Sequence, residues 1–254
     1  MRYFYLVLVA LFVSGSVAGQ GIVFEELTLA QAVEKAKAEN KLVFVDMYTA
    51  WCTPCKLMDK EVYPMKEMGD YFNPKFVSVK YDAERSEEGR YVNEKYGVKA
   101  YPTYIILDGN GELLHMFAGG TVGLGFIDKM EESFNHSIAF GGLQKRYNAG
   151  DRDKVLVANY IKSLQGTFTV DVSKMAEAFA DSLWGEELVF EEALYLFDDF
   201  ARMGSKRSDY LFDNLELFYD RIGKEKIDVV LKKKFEAYYA SILGRQMVPN
   251  EADI

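Results

Sequence analysis

Leu42-Val43-Phe44-Val45-Asp46-Met47-Tyr48 runs through Thr49-Ala50 into Trp51-Cys52-Thr53-Pro54-Cys55-Lys56. The first seven residues are apolar at every position but one, the pattern of a central strand covered by helices on both faces. Residues Lys56 to Val62 contain no helix breaker and predict a helix, interrupted at Tyr63-Pro64. The only two cysteines of the chain therefore sit at a strand-to-helix junction, where a thiol can be both exposed and electrostatically activated. Asp46 is the exception within the strand and needs a reason.

A Cys-x-x-Cys pair at a helix N-terminus has its own chemistry. Unsatisfied backbone N–H groups and the helix dipole favour a thiolate at the first cysteine, Cys52. Cys55, one turn on, is shielded and suits the resolving role, attacking a mixed disulfide formed by Cys52. Pro54 fits the first turn, where its missing N–H has no cost, and Lys56 adds positive charge nearby. Two other uses of such a pair compete with this one. A zinc half-site would need two further ligands, and the only histidines, His115 and His136, fall in elements of unrelated register, so no metal is expected. As a structural staple, so small a loop would contribute only about 2 kcal/mol.

Outward from this stretch, Ile22-Val23-Phe24 reads as a short edge strand, and Thr28 as the N-cap of an amphipathic helix ending near Glu39-Asn40. A helix over Met65 to Phe72 should stop at Asn73-Pro74, followed by a strand from Phe76 to Tyr81 and a charged helix from Glu84 to Tyr96 closed by Gly97. Thr103 to Leu107 and Glu112 to Phe117, joined by Asp108-Gly109-Asn110-Gly111, form a hairpin. A closing helix carries Phe126, Ile127, Met130 and Phe134. Beyond Phe140 only helices are predicted: 151–164, 172–184, 188–203, 208–222 and 224–243, with a frayed tail from Met247.

A chain of 254 residues suggests two domains. Its formal net charge of -9 argues against nucleic acid, which needs a basic face. The beginning reads as an export signal over 1–19: Arg2, an apolar stretch from Tyr3 to Val13, and small residues Ser16-Val17-Ala18 for cleavage. The apolar run is nearer signal length than the roughly 20 residues of a membrane span. The mature protein is therefore expected to lack a span and to work outside the cytoplasm, in the periplasm or a similar compartment where disulfides persist.

Val45 to Lys56 resembles the active-site segment of the thioredoxin superfamily, and Tyr101-Pro102-Thr103, followed by an apolar strand and a glycine turn, resembles its cis-proline loop. Within the superfamily the chain is more similar to the periplasmic C-terminal domain of the thiol:disulfide interchange protein DsbD, and to exported thioredoxin-like proteins, than to cytosolic thioredoxin. The resemblance implies an α/β thioredoxin fold over 20–138, a central mixed sheet flanked by helices, and the helical pattern beyond it reads as an all-α domain over 139–254. It implies Cys52 as nucleophile, Cys55 as resolving thiol and Asp46 as the buried acid that relays a proton. Pro102 would hold an extended substrate beside an apolar surface made by Trp51 and Tyr101. Asp59 falls where the DsbD domain has a glutamate that tunes the cysteines, and Ser78 where cytosolic thioredoxin has a lysine near the acid. The helix after Cys55 lacks that protein's kink proline.

The implied activity is thiol:disulfide exchange with cysteine-containing exported proteins, as reductant or isomerase. The cysteine pair is its own redox centre, so no cofactor is expected, and a thiol reductant would be the second partner. The alternative is a binding or assembly protein whose helical half engages a partner while the thioredoxin-like part serves as a platform.

Overall fold

A computed structural model describes residues 21–246. The expected export signal over 1–19 and the expected frayed tail from Met247 lie outside the described residues. Helix α1 (Leu29–Glu39) is opened by a capping box between Thr28 and Gln31 and closed by Asn40 in the left-handed region, where Asn is tolerated. Strand β1 (Leu42–Tyr48) follows, then α2 (Thr53–Leu57), which passes directly into a π-helical turn, Met58–Val62. Helix α3 (Lys66–Lys75), β2 (Phe76–Asp82), α4 (Glu87–Tyr96), β3 (Thr103–Leu107) and β4 (Leu113–Ala118) complete the alternation, and α5 (Gly125–Glu131) ends it. Contrary to the expected stop at Asn73, α3 runs through Pro74 in its last turn.

The sheet order is β2-β1-β3-β4, with β1 parallel to β2 and antiparallel to β3, and β3 antiparallel to β4. This is the mixed sheet of a thioredoxin fold. The expected edge strand at Ile22 to Phe24 is reduced to a single bridge, Phe24 to Ser78. Its neighbouring N–H groups are already spent, that of Ile22 on the carbonyl of Tyr63 and that of Val23 on the side chain of Asn73.

Strand alternation sorts the side chains into two layers. Val43, Val45 and Met47 of β1 face α1 and α4, whereas Phe44 faces an aromatic layer with Phe72, Tyr104 and Phe126. Phe72 and Phe126 stack at 5.6 Å, and Phe44 meets Phe72 edge-on at 4.9 Å. Asp46 has the parity of Phe44, so the only acid in β1 points into the more aromatic layer, beneath the π turn. The helix after Cys55 has no proline, and its irregularity is the π turn, with Tyr63 N–H donating to the carbonyl of Met58.

Beyond residue 138 the chain is helical: α6 (Phe140–Asn148), α7 (Lys154–Thr167), α8 (Ser173–Asp181), α9 (Tyr195–Asp198), α10 (Lys206–Asp213), α11 (Leu215–Ile222) and α12 (Lys224–Gln246). Helix α6 was not foreseen, and it ties the two halves together. Phe140 N–H donates to His115 Nδ1 of β4 at 3.0 Å, and Gly141 approaches so closely that a Cβ there would lie 1.8 Å from the carbonyl oxygen of Leu113. Apolar packing is continuous from Val43 and Met116 through Phe140 and Leu156 to Phe218, so it runs unbroken across 138. The helix expected over 188–203 is broken into 3₁₀ turns, Gly185–Leu188 and Glu191–Ala193, before the single turn of α9. Tyr195, Leu196 and Phe197 are consecutively buried, and burial of adjacent side chains on all sides overrides the one-sided helical pattern. Among the described residues no helix is long and apolar enough to cross a membrane.

Candidate active site

Cys52 caps α2 from an extended backbone conformation, and the Cys55 N–H donates to Cys52 Sγ at 3.1 Å. Pro54 lies in the first turn, as expected. Cys52 and Cys55 are joined as a disulfide, with Cα atoms 5.3 Å apart. The exposed thiol expected at Cys52 is not seen in this oxidised form, in which each cysteine is only 2% exposed. Gly120, after β4, packs on the residues flanking Cys55, where a Cβ would stand 3.4 Å from Pro54 Cβ and 3.8 Å from Met58 Cγ. The N–H that reaches Cys52 Sγ would equally stabilise a thiolate there, in the positive field of the helix start.

Asp46 is 1% exposed. Its Oδ2 accepts from Tyr63 Oη at 3.0 Å and lies 3.5 Å from Lys80 Nζ, while its Oδ1 has no partner among the described residues. Burial drives its pKa up, to about 6, against the opposing pull of the Lys80 ammonium and the Tyr63 hydroxyl. Burial and the adjacent Asp46 charge likewise hold the Tyr63 phenol well above its ordinary value, so Tyr63 remains a donor. Asp59, from the π turn, also pairs with Lys80. A chain of charges, Asp59 to Lys80 to Asp46, thus connects the exposed helix face to the buried acid.

Lys80 and Tyr63 are the residues that sequence reasoning missed. The parallel register sets Asp46 opposite Lys80, and Phe44 opposite Ser78. The lysine near the acid is present, two residues from the expected position at Ser78 and on the same face. From sequence alone, Tyr63 marks only the end of a helix.

Trp51 is 63% exposed, meets Tyr101 edge-on at 5.9 Å and donates from Nε1 to Glu84 at 3.0 Å. Tyr101 is tethered in turn, its hydroxyl donating to Asn93 Oδ1 of α4 at 2.6 Å. The Tyr101–Pro102 peptide bond is cis, and the Pro102 carbonyl accepts from Gly119 N–H at 2.8 Å. The structure therefore brings Trp51, Tyr101 and Pro102 together around the pair. Lys56 projects to solvent from α2, and no carboxylate pairs with it among the described residues. His115 is buried against Phe140 N–H, and burial pushes its pKa down to about 4.

The family described as thioredoxin-like matches residues 24–109. Thioredoxin-1 of Drosophila melanogaster is 37% identical over 82 residues, 32% of this chain and 70% of that protein. Among solved structures, a putative disulphide-isomerase from Bacteroides thetaiotaomicron is 38% identical, covering 46% of this chain and 95% of that one with a TM-score of 0.42. The oxidised C-terminal domain of DsbD from Neisseria meningitidis is 22% identical, covering 41% of this chain and 92% of its own, with a TM-score of 0.36. Each of these similarities spans less than half of the present chain. Identity of 37% across 70% of a thioredoxin establishes kinship, and with its Cys52-Cys55 pair this chain belongs to the thioredoxin-like family of thiol:disulfide oxidoreductases.

Proposed function

We propose that the protein is an exported thiol:disulfide oxidoreductase that acts on cysteine-containing proteins as a reductant or isomerase. The observation that carries this reading is the state of Asp46: a buried carboxyl with one oxygen unpartnered and a pKa near 6, on the strand face covered by the cysteine-bearing helix. Such a group can both take and return a proton near neutral pH. In the reduced protein the Cys52 thiolate attacks a substrate disulfide, forming a Cys52–substrate bond and expelling one substrate thiolate. Asp46 as carboxylate then accepts the proton of Cys55. The resulting thiolate attacks Cys52 Sγ and expels the second substrate sulfur. Two electrons have moved from the pair to the substrate, and a thiol reductant partner restores the dithiol.

Trp51 and the Tyr101-Pro102 loop are assigned to holding the substrate backbone beside Cys52. Asp59 and Lys80 are positioning residues that tune Asp46, and Pro54 sets the start of the helix. Export rests on the pattern of Arg2, Tyr3 to Val13 and Ser16-Val17-Ala18. Replacement of Cys55 with alanine removes the resolving step, so the variant should accumulate mixed disulfides at Cys52 with exported proteins, seen as thiol-sensitive bands on non-reducing gels. Absence of such adducts, together with partner capture that is indifferent to Cys52, would favour the platform role for the thioredoxin-like part.

A further inference from the structure

The helical half takes no part in the chemistry above, yet the connection between α7 and α8 lines a cleft that extends to Gly119 and Gly120, next to the Pro102 loop. Phe168 is the C-cap of α7, with φ 55° and ψ 17°. That left-handed conformation favours glycine and is sterically costly for an aromatic residue. The only other non-glycine residue with positive φ among the described residues is Asn40, a type that tolerates it. Packing does not compensate at Phe168, because the residue is 62% exposed. A strained backbone that presents a large apolar ring to solvent calls for a use outside the fold.

Phe168 stands between two clefts. One, of about 350 Å³, runs along the end of β4 past Ala118, Gly119, Gly120 and Thr121. Gly120 lies against Pro54 and Met58, on either side of Cys55 in the sequence. The other, also about 350 Å³, is lined by Val170 and by Lys99, two residues before Tyr101. Gly119 is hydrogen-bonded to Pro102, so both clefts border backbone that belongs to the Pro102 loop or is bonded to it. Val170, Val122 and Leu124 add exposed apolar side chains on the connections either side.

We propose that Phe168 is a specificity-determining residue, which receives an apolar side chain from an extended polypeptide segment whose cysteine reacts with Cys52. This rests on the reading that the pair exchanges disulfides with proteins. A small disulfide needs only Cys52, whereas an extended chain that runs on from Cys52 past the Pro102 loop meets Gly119 and Gly120, which line one cleft together with Phe168. Exposed aromatic rings of this kind act as anchors for apolar partners. The helical half then serves to choose substrates.

The test uses the full chain, reduced, and two peptides of equal length and charge. Each carries one cysteine joined in a disulfide to thionitrobenzoate, and the peptides differ only in leucines or serines flanking the cysteine. Attack by Cys52 on the peptide sulfur releases coloured thionitrobenzoate. The wild type should prefer the leucine peptide by about fivefold or more in kcat/KM, the scale of an apolar contact, mainly through KM. Phe168→Gly, which relieves the backbone, should cut that preference below about twofold without lowering the melting temperature, and should leave reduction of the small symmetric disulfide of thionitrobenzoate unchanged. Phe168→Tyr should retain the preference. Full preference in Phe168→Gly, or none in the wild type, would overturn the proposal while leaving exchange intact. Reaction of the wild type with the small disulfide but with neither peptide would instead defeat the reading of protein exchange, and this proposal with it.

Discussion

Asp46→Asn should slow resolution of the mixed disulfide by about 10²-fold at pH 7, the lower end of what a positioned acid–base group supplies. The initial attack by Cys52 should be far less affected, so single-turnover kinetics should show accumulation of the Cys52–substrate adduct. The same variant should be more stable. The Asp46 carboxyl titrates at about 6 in the folded protein against an ordinary value of 3.8. Between those limits the folded state holds more protons than the unfolded one, so stability falls as pH rises from about 4 to about 6 and levels off above. At pH 7 the buried charge costs about 3 kcal/mol. Asparagine keeps the shape without the charge, and the oxidised variant should therefore melt about 6–12 °C higher at pH 7, an advantage that disappears below pH 4. Equal melting temperatures together with unchanged resolution would remove Asp46 from the mechanism.

Lys80→Met should move the pH dependence of resolution upward. The ammonium lies 3.5 Å from Asp46 Oδ2 and pulls its pKa down, while Asp59 pushes it up. Even at the dielectric constant of bulk water an attraction at that distance is worth about 1 kcal/mol, close to one pH unit. The midpoint of the rate profile should rise by at least that amount, with KM for a protein substrate unchanged. Asp59→Asn should move it the other way. A profile indifferent to both changes would mean that the Asp59-Lys80-Asp46 chain is a surface ion pair without influence on the proton.

Features encoded by near neighbours were legible in the sequence. The capping box at Thr28, the apolar run of β1, the cysteine spacing, the Tyr101-Pro102 pair and the turn at Asp108 to Gly111 each declare themselves within a few residues, and each is in place. Lys80 escapes a reading of the sequence because register is a long-range property. Sliding β2 by two residues exchanges Ser78 and Lys80 opposite Asp46 without moving any side chain to the other face, so the apolar pattern cannot choose between them. Pairing Leu42 with Phe76 does choose. The π turn leaves no compositional mark, and Tyr63 looked like a break because its partner, Asp46, is 17 residues away. Helix α6 contains Gly141-Gly142, a pair of low helix propensity. In the fold, Gly141 is what allows the helix to approach the Leu113 carbonyl. The apolar stripes of the helical half announced a core but not that it would be shared with the sheet.

On the proposed function, Cys52 and Cys55 form a reducing couple served by a buried acid. Equilibrating the pair against defined thiol–disulfide buffers at pH 7 and following the dithiol fraction measures its potential directly. A midpoint near the roughly -270 mV of thioredoxin is expected, whereas one near the roughly -120 mV of a dedicated oxidant would contradict the reductant reading.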